Sequence, residues 1–112
     1  MNTPTSKISG YHAHIYYVAD TRPAAEELRG QLDTLFSVKL GRMHDINVGP
    51  HTAPMYQVLF SAEDFSDLVP WLMLNRRGLD ILIHPETGDD LEDHSTHALW
   101  LGNKLDLDWS KL

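Results

Sequence analysis

Histidine recurs at alternate positions of a strand-like stretch, and this pattern restricts the possible folds more than any other feature of the chain. In Tyr11-His12-Ala13-His14-Ile15-Tyr16-Tyr17-Val18 the residues are mostly aromatic, β-branched or small, which suits a β-strand. Successive strand side chains point to opposite faces of a sheet. His12, His14 and Tyr16 therefore share one face. Ala13, Ile15 and Tyr17 share the other, the natural core face. The run Asp80-Ile81-Leu82-Ile83-His84 alternates in the same way: Ile81 and Ile83 belong to the core, Leu82 and His84 to the opposite side. Two independent alternations thus predict a sheet with one apolar face and one face that carries His12, His14 and His84.

The segments around these two strands set the topology. Thr21 is placed to cap a helix with Pro23 in its first turn, and Leu28, Leu32, Leu35 and Phe36 recur at helical spacing through Ala24–Phe36. A short strand is expected near Val38–His44. Asp45–Pro54, with Gly49 and two prolines, reads as a loop, and Met55–Ser61 as a strand. A second helix is expected over Asp64–Arg77, with Phe65, Leu68, Trp71, Leu72 and Leu74 as its apolar set. Pro70 marks a kink or a late start in it. Pro85–Thr96 is polar and acidic and reads as a loop, and Ala98–Leu101 as a short fifth strand or edge. Residues 1–10 read as a loose lead-in. The order β-α-β-β-α-β is the ferredoxin-like pattern, an α+β antiparallel sheet with both helices on one face. Its first strand is central and antiparallel to its fourth, which brings His12 and His14 close to His84.

Composition narrows the chemistry. The 112 residues suit a single domain, 1–112, and 42% hydrophobic with 22% charged residues is a globular balance. The net charge of −7, with no Lys/Arg cluster, argues against a nucleic-acid footprint and against attraction to anionic membranes. No apolar run approaches the roughly 20 residues that span a bilayer. No apolar signal region follows the N-terminal residues, so a cytoplasmic location is expected. Seven histidines stand beside no cysteine, which excludes disulfides, iron–sulfur clusters and thiolate zinc sites. Imidazole is then the natural metal ligand or general base. Three imidazoles could hold zinc with one position open. Two imidazoles and a carboxylate could hold iron(II), with Glu86, Asp89, Asp90 and Asp93 as candidate carboxylates. Most of that acidic run reads as a solvated loop. Arg42, Arg76 and Arg77 could clamp a carboxylate in bidentate fashion, although Arg76 and Arg77 equally suit a helix end. Tyr16 and Trp100 could stack on an aromatic ligand or pack a core. His44 has no partner in the pattern and reads as surface.

Four short segments stand in order along the chain: Tyr11-His12-Ala13-His14-Ile15-Tyr16-Tyr17; Gly49-Pro50-His51; Ile83-His84-Pro85-Glu86-Thr87-Gly88-Asp89; and Asp93-His94-Ser95 followed by Ala98-Leu99-Trp100-Leu101-Gly102. In these segments, spread from residue 11 to 102, the chain resembles the DOPA 4,5-dioxygenase family. The resemblance implies a ferredoxin-like fold, a non-haem iron(II) ion, and insertion of both atoms of O₂ into the ring of a catechol such as L-DOPA. It carries the family histidines over to His12, His14, His51, His84 and His94. After Gly49-Pro50-His51 this chain has Thr52, where the family pattern often has proline. On this reading His12, His14, His51 and His84 are the candidate metal ligands and His94 the candidate proton-transfer residue. Tyr16, Arg42 and His97 are the candidate substrate contacts. Two other classes fit the same residues. One is a zinc-dependent hydrolase or lyase. The other is a non-catalytic ferredoxin-like module that dimerises through its free sheet face. A homodimer is expected in any case, because a face bearing Tyr16 and Leu82 calls for cover.

Overall fold

The computed structural model describes residues 7–112. Along the chain run β1 (Tyr11–Tyr16), α1 (Arg22–Leu35), β2 (Lys39–Leu40), β3 (Met55–Phe60), α2 (Ala62–Asn75), β4 (Ile81–Pro85), α3 (Asp90–His94) and β5 (Leu99–Leu101). They form one sheet in the order β2-β3-β1-β4-β5, with every pair antiparallel. This is the ferredoxin-like arrangement with β5 added at the β4 edge. In the β1–β4 register His12 stands opposite His84, Ala13 opposite Ile83 and His14 opposite Leu82. The two alternations therefore meet as expected. Ala13, Ile15, Tyr56, Val58, Ile81 and Ile83 lie in one core, with Ala25, Leu28 and Leu32 of α1 and Leu68, Val69 and Leu72 of α2 packed on them.

The helices differ in detail from the sequence pattern. Thr21 stands at the N-cap of α1, but its hydroxyl bonds with Val18, accepting from the Val18 N–H at 2.9 Å. Leu35 and Leu74, expected in the apolar sets, are exposed. α2 begins earlier than expected and passes through Pro70 without ending. Pro70 removes one backbone bond, and the buried Leu68, Val69 and Leu72 on either side of it hold the helix on the sheet. The acidic run read as a loop contains α3. Asp89 caps it by accepting from the Glu92 N–H at 3.1 Å, and Asp90, Glu92 and Asp93 fill the first turn, where carboxylates favour the helix dipole. The expected second strand is only two residues long, followed by a bridge between His44 and Met55.

The histidine face is not free. Tyr16, Met55, Leu82 and Leu107 form a second buried cluster, against which Val48, Ala53, Ala98, Trp100 and Leu105 pack. The loop after β2 and the chain beyond β5 thus cover in cis the surface from which a dimer was expected. Of the expected lead-in, residues 1–6 lie outside the described residues. Ser9 and Gly10 are tied to Glu86, with the Ser9 N–H donating to Glu86 O at 3.0 Å and the Glu86 N–H to Gly10 O at 2.9 Å. Among the described residues no helix is long and apolar enough to cross a membrane.

Candidate metal centre

Five imidazoles converge on the face of the sheet opposite α1 and α2. His12 and His14 come from β1 and His84 from β4, as the strand parity requires. His51 arrives from the loop before β3 and His94 from the last position of α3. Ring centroids are 5.1 Å apart for His14–His84 and for His12–His84, 4.2 Å for His14–His51, and 4.1 Å for His84–His94. Two sets of three bring one ring nitrogen each to within 4.8 Å of one another: His12, His14 and His84, and His14, His51 and His94. His14 belongs to both sets. His14, His51, His84 and His94 are buried, and His12 is half-buried.

The partners of these rings decide which nitrogen faces inward. His84 Nδ1 lies 3.0 Å from Pro85 O and His94 Nδ1 lies 2.7 Å from Asp90 O. A carbonyl only accepts, so both Nδ1 atoms carry the proton and each Nε2 keeps its lone pair. His51 Nδ1 is 2.6 Å from the Tyr16 hydroxyl. His12 Nδ1 is 3.2 Å from Glu86 Oε1. His14 is the exception. Its Nε2 is 3.0 Å from His84 Nε2, and its buried Nδ1 has no hydrogen-bond partner. A proton on His14 Nε2 satisfies His84 and leaves Nδ1 bare. A proton on Nδ1 leaves a buried donor unpaired and sets two Nε2 lone pairs against each other. Either tautomer strands a nitrogen, which buried groups rarely tolerate. A cation that accepts the two facing Nε2 lone pairs turns their opposition into shared ligation, so the donor set fits a metal.

The electrostatics agree. Burial pushes His84 down to about 4, with the Pro85 carbonyl opposing and His94 and His12 adding to the fall. Burial, then His94, His84 and His44, pushes His51 down to about 4. His14 is held well below 6.5, first by burial and then by His51, His84, His12 and His94. His12 is lowered by burial, with Glu86 acting in the opposite sense. These four rings are neutral at pH 7, the form in which imidazole binds metal.

Loop anchors place His51. The Asp108 N–H donates to Pro50 O at 2.8 Å, and the Thr52 hydroxyl donates to Asp106 O at 2.5 Å. Thr52 thus ties the His51 loop to the C-terminal segment. Tyr16, expected to touch substrate, is buried behind His51, with its ring stacked on Trp100 at 5.9 Å. His97 is exposed and turns to Asp93, with Nδ1 2.9 Å from Asp93 Oδ1. Arg42 is not brought to the cluster: it lines a depression with Arg22, Glu26, Arg29, Gly30 and Met43. Arg76 and Arg77 serve the end of α2, bonding to Leu79 O, Glu27 and Gln31. Of the carboxylates, Glu86 reaches the Nδ1 side of His12. Asp93 is buried and accepts from the Thr87 N–H at 2.9 Å and the Thr87 hydroxyl at 2.6 Å. Sequence reasoning gave Glu86 no role distinct from its neighbours. Asp93 suggested an orienting partner for the adjacent His94, but its carboxylate is taken by Thr87 and His97, and His94 Nδ1 turns to Asp90 O instead. For Glu86 the missed signal was parity, since it lies two residues beyond His84. His44, read as surface, is half-buried and bears on His51.

Comparison with known proteins points one way. The profile of the Dopa 4,5-dioxygenase family matches residues 11–111. A DOPA 4,5-dioxygenase of Amanita muscaria is 33% identical over 96% of this chain and 51% of its own length. An uncharacterised 21.2 kDa protein of Botryotinia fuckeliana is 33% identical over 89% of this chain and 61% of its own. The chain therefore spans half to three-fifths of the length of these relatives. A crystal structure from Nostoc punctiforme, described as that of a candidate dioxygenase, superposes with a TM-score of 0.90 at 51% identity. It covers 92% of this chain and 90% of its own.

Proposed function

The chain belongs to the Dopa 4,5-dioxygenase family, and from that premise we propose that it is a non-haem iron(II) extradiol dioxygenase that opens the ring of a catechol with O₂. The observation that carries the reading is the pair of imidazole nitrogens, His14 Nε2 and His84 Nε2, 3.0 Å apart in a buried cluster where either His14 tautomer leaves a nitrogen stranded. We assign the ion to His12, His14 and His84. They form one of the two sets whose ring nitrogens lie within 4.8 Å of one another, and it is the set that contains the facing His14 and His84 Nε2 atoms. Three protein ligands leave positions open for catechol and oxygen. A bound iron(II) ion supplies Lewis acidity to the catechol oxygens and electrons to O₂. No external reductant enters the balance: one ring C–C bond breaks and both oxygen atoms remain in the product.

The residues of the chain do the rest. His94 sets its ring beside that of His84, with Nδ1–H fixed on Asp90 O, so its Nε2 is free to accept a catechol proton and return it. His51 stands on the other side of His14, held by Tyr16. The cover provided by Trp100, Leu105 and Leu107 keeps bulk water from that side of the centre.

The test is anaerobic metal loading followed by O₂ uptake with a catechol. Iron-dependent uptake, with one O₂ consumed per ring opened, is expected. Turnover with zinc and no oxygen demand would replace this reading with a hydrolase or lyase. His94→Ala should retain iron while turnover falls by about 10²–10⁴-fold. Loss of iron in step with activity would move His94 into the ligand set.

A further inference from the structure

The parity that puts His84 on the histidine face puts Glu86 there as well, two residues on. Sheet pairing extends past the end of β4 through the two backbone bonds between Glu86 and the Ser9-Gly10 pair. The ladder, rather than the following turn, therefore holds the Glu86 backbone. His12 is the cross-strand partner of His84, which places the Glu86 side chain diagonally beside His12. Its Oε1 lies 3.2 Å from His12 Nδ1 and 3.5 Å from His84 Nδ1, whose proton is committed to Pro85 O. Glu86 and His12 also share the wall of an open depression of about 550 Å³ with Lys39, Ser61 and Asp64. His12 is thus the histidine of its triad that meets solvent, with its side chain 23% exposed. Without a fixed acceptor, water would compete for its Nδ1 proton and the ring would turn freely.

We propose that Glu86 is a positioning residue for His12. Its carboxylate accepts the His12 Nδ1 proton, sets the tautomer and the ring rotation, and leaves the Nε2 lone pair aimed at the ion. Carboxylates behind metal-bound imidazoles act in this way, and their loss typically weakens metal binding 10–100-fold. The inference rests on the proposed role of His12 as a ligand, but it concerns a contact that exists before any ion binds.

The experiment uses the full chain with Glu86→Ala and Glu86→Gln, and two readouts besides turnover. Cobalt(II) titration of the metal-free protein measures affinity and records the visible ligand-field bands. Long-range ¹⁵N–¹H NMR of the metal-free protein reports which His12 nitrogen carries the proton. Glu86→Ala is expected to weaken cobalt binding 10–100-fold and to turn His12 from the Nδ1–H form into a mixture. Glu86→Gln should stay close to wild type in both readouts, because its amide oxygen accepts the same proton. Unchanged affinity and tautomer in Glu86→Ala would overturn the proposal. Equal loss of affinity and altered bands in both variants would overturn it too, by making Glu86 a direct ligand. If wild type binds no cobalt, the metal reading fails separately, and the His12 tautomer still decides whether Glu86 positions that ring.

Discussion

At the scale of residues, His14 is the pivot. It is 3% exposed, belongs to both histidine sets, and is the ring whose nitrogens cannot both be satisfied by protein. His14→Ala should therefore abolish metal binding more completely than His51→Ala, as measured by metal content after anaerobic loading. Tyr16 plays a different part. Tyr16→Phe leaves a buried His51 Nδ1 without its 2.6 Å partner and should cost about 1–3 kcal/mol of stability, read as a lower urea midpoint. The depressed imidazoles also predict a pH dependence for the metal-free protein. His51 and His84 titrate near 4 in the fold against 6.5 when exposed. Above pH 6.5 neither state binds these protons. Between 6.5 and about 4 the unfolded chain takes up protons that the folded chain refuses, so stability falls as the pH drops, and the loss levels off below about 4. The urea midpoint should accordingly be lower at pH 5 than at pH 7. An unchanged midpoint would show that these rings are not buried as neutral groups.

At the scale of elements, two short features hold the second half of the site. α3 is only five residues long, too short to persist on helix propensity alone. It is fastened from inside by Asp93, which is 1% exposed. Burial alone would raise the pKa of that carboxyl, but bonds from His97 and Thr87 outweigh it and keep the group ionised. Asp93→Ala should cost about 1–3 kcal/mol and speed amide exchange across residues 90–94, loosening His94 while β1 and β4 stay protected. β5 is followed by Gly102, whose φ is +82° and where an added Cβ would lie 2.5 Å from Asp80 Oδ1 and 2.7 Å from an Arg76 nitrogen. Asp80 is not free to withdraw, since it accepts the Asn103 N–H at 2.8 Å. Gly102→Ala should therefore destabilise the β4–β5 edge by about 1–3 kcal/mol, seen as a lower melting temperature.

At the scale of the whole molecule, the sheet has two cores. The helices cover one face, and the chain beyond β5 with the loop before β3 covers the other. Leu107 is 6% exposed and lies in the second core. Leu107→Ala should cost about 2–5 kcal/mol and release the packing that backs Tyr16, so metal affinity should fall with stability. The cover in cis already takes Tyr16 and Leu82 out of water, so a homodimer would have to form through other surfaces. Sedimentation at micromolar protein tests the expected homodimer directly, and a single species of monomer mass would overturn it.

Strand parity and element order were legible in the residues themselves. The alternation in Tyr11–Val18 and Ile81–His84 determined which side chains share a face, and the sequence of periodicities determined a central β1 beside β4. Those two facts placed His12, His14 and His84 together. The resemblance to a family added His51 and His94, which no periodicity could place. Only the tertiary structure decided that these two rings close on His14 and His84, that Arg42 lies among the residues of α1, and that Glu86 stands behind His12. The reason is physical. A period of two is a local property of the backbone and reads directly from neighbours. Where a loop delivers His51 depends on distant anchors, such as Asp108 on Pro50 and Thr52 on Asp106, and where a one-turn helix delivers His94 depends on how that helix docks on β4. Those anchors exist only once the chain has folded back on itself.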